Sequence, residues 1–141
     1  MPASLSDYLK RSSLFAGFSD RQIADVLATA KQRQFAAGER IIRQGDEGGR
    51  GFYLIVEGHV EVRTGETVLA TFGPGDYFGE MALVLPDTPR TADVVAVADT
   101  TCLMITQWDL RALLATHPEI GLAIMGELAR RLADTDRTLR E

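Results

Sequence analysis

Ten glycines between positions 38 and 79 cut that half of the chain into short apolar runs. They stand at 38, 45, 48, 49, 51, 58, 65, 73, 75 and 79. Runs this short, each closed by a turn residue, suit strands rather than helices. The expected strands are 32–35, 40–43, 51–57, 59–63, 67–72, 91–98 and 101–106. His59-Val60-Glu61-Val62-Arg63 alternates cleanly, which turns Val60 and Val62 inward. Thr64-Gly65-Glu66 reads as a tight hairpin loop. Closely spaced short strands with turn signals imply a sandwich or barrel.

Helical patterns flank this region. Leu5 to Ser12 places Leu5, Tyr8 and Leu9 on one side. Ser19 with Gln22 forms a capping-box pattern ahead of a helix over 20–30, whose core stripe is Ile23, Val26 and Leu27. A second helical pair follows the strands. Thr106 caps a helix running to His117, with Asp109 near its positive end and Leu110, Leu113 and Leu114 as its apolar face. His117-Pro118 ends it, because a residue before proline avoids helical angles, and Pro118 then suits the first turn of the next helix. That helix spans about 119–139, with Ile120, Ile124, Leu128 and Leu132 in one stripe and Leu122, Met125 and Ala129 widening it. So broad a face suits the strand body on one side and a partner helix on another.

A chain of 141 residues supports one domain with a real core. The net charge of −5 argues against nucleic acid as a general partner, though a local anion site is compatible with it. One cysteine, Cys102, excludes an internal disulfide and reads as a buried, inert thiol. The chain shows no secretory signal and no apolar run long enough to span a membrane, so the cytoplasm is the expected location.

The stretch Gly73 to Ala92 carries the chemistry. Phe78-Gly79-Glu80-Met81-Ala82-Leu83 reads as one or two helical turns entered through a glycine. Such a start offers unpaired N–H groups and a small positive dipole, which suit an anion. Arg90, ten residues past Glu80, supplies a two-pronged phosphate donor. An ionised Glu80 only accepts hydrogen bonds, so it suits a ligand with a hydroxyl close to its anion. A ribose 2′-OH beside a sugar-attached phosphate meets both demands. The glycine lets the backbone approach closely.

Phe78-Gly79-Glu80-Met81-Ala82-Leu83, seven residues, then Pro89-Arg90-Thr91-Ala92 resembles the phosphate-binding cassette of the cyclic nucleotide-binding domain. That family includes bacterial catabolite activators, cyclic-nucleotide-gated channels and kinase regulatory subunits. The resemblance implies a mainly β fold with flanking helices: an antiparallel, jelly-roll-like β-roll, N-terminal helices, a short phosphate-binding helix and two C-terminal helices. The corresponding segments are 1–31, 32–106 and 107–141 of a single domain. It implies that Glu80 holds the ribose 2′-OH and Arg90 the cyclic phosphate, with backbone contacts from Gly79, Met81 and Ala82 and a hydroxyl contact from Thr91. It further implies apolar base walls at Val62 and Leu69, a reach from Arg131, and a contact of Thr135 with an adenine amine.

By this resemblance the protein is a stand-alone, non-enzymatic sensor for a 3′,5′-cyclic nucleotide, cAMP ahead of cGMP, closed by its C-terminal helices. No cofactor is expected besides that ligand. The expected partners are a homodimer through the last helix and a downstream protein, with no membrane. No helix-turn-helix follows residue 141, so the chain reads as a free-standing sensor or as a fragment, and Met1 with the N-terminal helices favours the former. The alternative within the same roll is an interaction or scaffold domain that has lost its nucleotide. A metal-dependent enzyme on such a roll needs clustered ligands, whereas only His59 and His117 occur, in different elements. The glycine-rich loop 45–51 lacks the ending of a P-loop and carries two acids, so it reads as a hairpin connection.

Overall fold

The structure is a computed structural model that describes residues 5–12, 14–43, 51–79 and 92–140, without the side chains of 11, 131 and 135–140. Helices α1 (Leu5–Arg11) and α2 (Asp20–Thr29) come first. Eight strands follow: β1 (Lys31–Phe35), β2 (Arg40–Ile42), β3 (Phe52–Glu57), β4 (Val60–Thr64), β5 (Thr67–Phe72), β6 (Tyr77–Phe78), β7 (Asp93–Ala96) and β8 (Thr100–Ile105). Helices α3 (Gln107–Thr116) and α4 (Pro118–Arg140) close the chain. Every strand pairing is antiparallel. The strands form two four-stranded sheets, ordered β1-β8-β3-β6 and β2-β7-β4-β5. This is the mainly β roll with flanking helices that the resemblance implies.

The layers follow from which way alternate side chains point. In β3, Phe52 and Leu54 join the buried cluster that holds Leu9, Ile23, Val26, Leu110, Leu113, Ile120 and Ile124 of the helices. Tyr53 and Ile55 point the other way and meet Ile42, Val60, Val94 and Ala96 of the second sheet. In β8, Leu103 and Ile105 face the helices while Cys102 faces the roll interior. The first sheet is therefore the middle layer, with helices on one face and the second sheet on the other. Burial pushes the Cys102 thiol up to about 12, which keeps it protonated and inert.

Local chemistry accounts for the helix ends. Ser19 and Gln22 make the reciprocal capping box, with the Gln22 N–H donating to Ser19 Oγ and the Ser19 N–H to Gln22 Oε1 at 2.8 Å. Thr106 caps α3 by accepting from the Asp109 N–H. His117 is the C-cap of α3 and Pro118 opens α4. The His117 ring also joins three helices: its Nε2 lies 3.0 Å from Asp25 of α2 and its Nδ1 3.5 Å from Glu119 of α4. Gln22 donates to the same Glu119 carboxylate at 2.6 Å.

Two readings need correction here. Phe78 is a strand residue, not the first residue of a helix: Tyr77 and Phe78 pair with Leu54 and Tyr53 at the edge of the first sheet. Two stacked aromatic pairs hold this two-residue strand, Tyr53 on Phe78 with centroids 5.0 Å apart and Phe52 on Tyr77 at 5.3 Å. Leu132 does not continue the packed stripe of Ile120, Ile124 and Leu128; it is exposed, together with Leu122 and Met125. The proposed short helix over 79–83 and the loop over 44–50 lie outside the described residues.

Candidate functional site

The site is built where the chain changes sheets. It leaves the first sheet at Phe78, the end of an edge strand, and enters the second at Asp93, the start of β7. Glu80, Met81, Ala82, Arg90 and Thr91 fall between these points and lie outside the described residues. What the structure describes is how both ends of that segment are held.

Gly79 is the entry. Its φ of +90° lies in the left-handed region, and a Cβ there would sit 2.6 Å from the Gly51 carbonyl oxygen. Both facts demand glycine: the torsion is costly for any L side chain, and the approach of backbone to backbone leaves no room. Upstream, the turn over 73–76 is closed on itself. The Asp76 N–H donates to the Gly73 carbonyl at 3.0 Å, and the Gly73 N–H to Asp76 Oδ2 at 2.9 Å.

At the exit, Asp93 pairs in register with Arg63 of β4, and Val94 with Val62. Arg40 lies 3.7 Å from the Asp93 carboxylate, and Arg63 is hydrogen-bonded to Glu61. The start of β7 is thus paired beside Val62, one of the two expected base walls. Val62 is partly buried against the roll interior. Leu69, the other, is 58% exposed. It stands on the edge strand β5, at a bulge: β4 pairs Val62 with Ala70 and Arg63 with Val68, which leaves Leu69 as the extra residue. A bulge frees a side chain from the ladder and re-aims it, a frequent device next to binding sites.

Arg131 and Thr135 both fall within α4, but their side chains lie outside the described residues. Through backbone placement the structure brings Gly79, Val62 and Leu69 to the two strand systems that flank the segment 80–91. One contributor escaped sequence reasoning. Tyr8, assigned to the apolar side of α1, accepts a hydrogen bond from the Gly75 N–H at 2.7 Å. The available signal was chemical: a tyrosine on a buried face needs a partner for its hydroxyl. Among the described residues there is no group of three or more His, Cys, Asp or Glu placed to hold a metal ion, and no helix long and apolar enough to cross a membrane.

Comparison with known proteins fits this geometry. The family profile described as "Cyclic nucleotide-binding domain" matches residues 32–117, more than half of the chain. A Pycsar effector protein of Xanthomonas perforans, XpPycTIR, is 37% identical over 109 residues, 77% of this chain and 36% of that protein. The Cyclic AMP receptor protein of Thermus thermophilus is 37% identical over 136 residues, 93% of this chain and 62% of that protein. The chain therefore spans less than two thirds of either relative. Among solved structures, the Thermus thermophilus catabolite activator protein superposes with a TM-score of 0.82 at 35% identity, covering 92% of this chain and 62% of that one. A cAMP-bound structure of PfPKA-R gives 0.77 at 25% identity, covering 96% and 45%. On the matched profile and the shared roll, the chain belongs to the cyclic nucleotide-binding domain family.

Proposed function

We propose that this domain senses a 3′,5′-cyclic nucleotide, with cAMP preferred over cGMP. The observation that carries the reading is how the chain leaves one sheet at Gly79 and enters the other at Asp93, with Glu80 and Arg90 between them in the sequence. The sequence between them bears an acid and an arginine ten residues apart; before it Gly79 is pressed against Gly51, and after it Val94 pairs with Val62. In this reading Arg90 neutralises the cyclic phosphate, Glu80 accepts from the ribose 2′-OH, and the N–H groups of Gly79, Met81 and Ala82 with the Thr91 hydroxyl complete the anion cradle. Val62 and Leu69 flank the base, and Arg131 and Thr135 approach it from α4.

The response is a lid. Ligand at the cassette draws α3 and α4 toward the base, and the shift is limited to the difference in affinity between the two arrangements. The exposed Leu122, Met125 and Leu132 on α4 support a homodimer through that helix. Sedimentation showing a monomer at high concentration, with and without ligand, removes that part of the proposal. We read the domain as non-catalytic and cytoplasmic, passing its signal to a protein partner rather than to nucleic acid, in keeping with its net charge of −5.

Calorimetry tests the assignment. Wild type binds cAMP more tightly than cGMP, Arg90→Ala loses most of the affinity, and Glu80→Ala loses part of it. Unchanged affinity in both variants refutes the roles given to these residues. A protein that binds neither nucleotide favours the scaffold alternative.

A further inference from the structure

Gly79 meets a second glycine at the point where the chain leaves the first sheet. Gly51 directly precedes β3 and is buried. The pairing of Leu54 with Tyr77 and Tyr53 with Phe78, continued by one step, would set Phe52 opposite Gly79. The ladder stops at Phe78 instead, and Gly79 turns out of it with a φ of +90°. A Cβ on Gly79 would lie 2.6 Å from the Gly51 carbonyl oxygen and 3.5 Å from the Tyr53 ring. The Gly51 carbonyl is therefore the wall against which the chain makes its turn.

That wall is itself hemmed in from behind. A Cβ on Gly51 would lie 2.9 Å from Met104 Cγ, 3.3 Å from Met104 Sδ and 3.3 Å from the Ile105 carbonyl oxygen. None of these gives way freely. Ile105 is held in the ladder opposite Phe52, and Met104 stands opposite Tyr53 and packs against the roll-interior cluster. Cγ is placed by χ1 alone, so moving it takes a change of rotamer rather than a swing of the terminal methyl. Tyr53, whose ring stacks on Phe78 at 5.0 Å, faces the same interior. A displacement at Gly51 thus reaches Gly79 by two routes: directly through the carbonyl, or through Met104, Tyr53 and Phe78.

We propose that Gly51 is a positioning residue for the nucleotide site: the room left by its missing side chain sets where its carbonyl stands, and so where the chain turns at Gly79. The inference rests on the nucleotide-binding reading above. In that reading Gly51 touches no part of the ligand. It acts through Gly79, whose N–H is one of the phosphate donors, and such a donor weakens steeply as its geometry departs from the ideal.

The test is a double-mutant cycle, read by calorimetric titration with cAMP on protein shown to be folded by circular dichroism. Gly51→Ala should bind roughly three- to tenfold more weakly, the coupling expected between groups in contact. Met104→Ala removes both Cγ and Sδ; it should lower the thermal midpoint and bind like wild type. The double variant, Gly51→Ala with Met104→Ala, has space for the new Cβ and should regain wild-type affinity to within about twofold while staying less stable than wild type. A general loss of stability would not produce that rescue. A folded Gly51→Ala protein with wild-type affinity overturns the proposal. So does a double variant that binds several-fold more weakly than Met104→Ala, and this comparison holds even where Gly51→Ala alone is too unstable to titrate. Failure of wild type to bind cAMP or cGMP strikes instead the reading beneath it.

Discussion

Strands β3 and β4 are neighbours in sequence, joined only by Gly58 and His59, yet they live in different surroundings. The sequence of β3 is Phe-Tyr-Leu-Ile-Val-Glu, and its first four residues are buried. The sequence of β4 is Val-Glu-Val-Arg-Thr, and only Val60 is fully buried. The difference is one of layers. Strand β3, inside the middle sheet, has two dry faces and carries an unbroken apolar run; β4, in the outer sheet, has one and alternates. The contrast divides labour as well. The middle sheet holds the helices to the roll, whereas Val62 and Leu69, the proposed base walls, belong to the outer sheet, where side chains are free to meet a ligand. Binding surfaces are drawn from such lightly packed regions.

The largest test of that division is Phe52→Ala in β3. Phe52 is 1% exposed and stacks on Tyr77 while facing the helices. Its removal opens a cavity between layers and should cost about 3–5 kcal/mol in urea unfolding. Val62→Ala in β4 removes two carbons from a partly buried site and should cost about 1 kcal/mol. If the two losses are similar, the middle sheet does not hold the privileged place given to it here.

Gly79→Ala comes next and strikes the join between the sheets. The positive φ and the 2.6 Å approach to the Gly51 carbonyl should together cost about 1–3 kcal/mol, with weakened nucleotide binding as the second effect. Gly58, between β3 and β4, is a control away from the cassette. Its φ is +94°, and a Cβ would lie 2.4 Å from Thr100 Oγ1. Gly58→Ala should lose comparable stability but leave the ligand affinity of the folded fraction intact. Equal effects of both variants on affinity would deny Gly79 its special role.

How much of this was legible beforehand follows the same contrast. The alternation of β4 and the apolar run of β3 are both patterns along the chain, and both announce strands. The caps at Ser19 and Thr106 are local, so they too could be read directly. Strand β6 could not. Two residues between a turn and a glycine carry no periodicity, and the pairing that makes Tyr77 and Phe78 a strand comes from Tyr53 and Leu54, more than twenty residues earlier. The acid and the arginine of the cassette were legible as residue types at a spacing. The exposure of Leu69 was not, because the edge place of β5 and its bulge depend on how strands pair. The reach of Tyr8 to Gly75 was hidden for the same reason: 67 residues separate the partners.

Alkaline pH probes the dry interior of the middle sheet. The Cys102 thiol, fully buried in β8, is raised by burial from 9.0 to about 12. A group whose folded value is raised lends stability that is present below its unfolded value and lost as pH climbs toward the folded one. The loss should therefore begin near pH 9 and grow by about 1.4 kcal/mol per pH unit until about pH 12. Tyr8 adds a loss of the same sign between its ordinary value of 10.0 and about 12. Urea unfolding at pH 8.5 and pH 10 should show wild type losing about 1 kcal/mol more than Cys102→Ala over that interval. Parallel losses would mean that the thiol is hydrated.

Leu69→Ala should have the smallest effect on folding and for that reason is the sharpest probe of the outer sheet. Leu69 is 58% exposed and stands outside the ladder at the β4–β5 bulge, so its truncation should change stability by no more than about 0.5 kcal/mol. An apolar side chain this exposed on an edge strand contributes little to folding. If it covers one face of the base, its loss should appear in the ligand titration instead, as a weakening of roughly three- to tenfold for about two to three buried methylene equivalents only partly covered. The two readouts then separate cleanly: Phe52→Ala moves stability, Leu69→Ala moves affinity. A Leu69→Ala protein with unchanged stability and unchanged affinity would remove Leu69 from the site and leave Val62 as the outer sheet's one proposed wall.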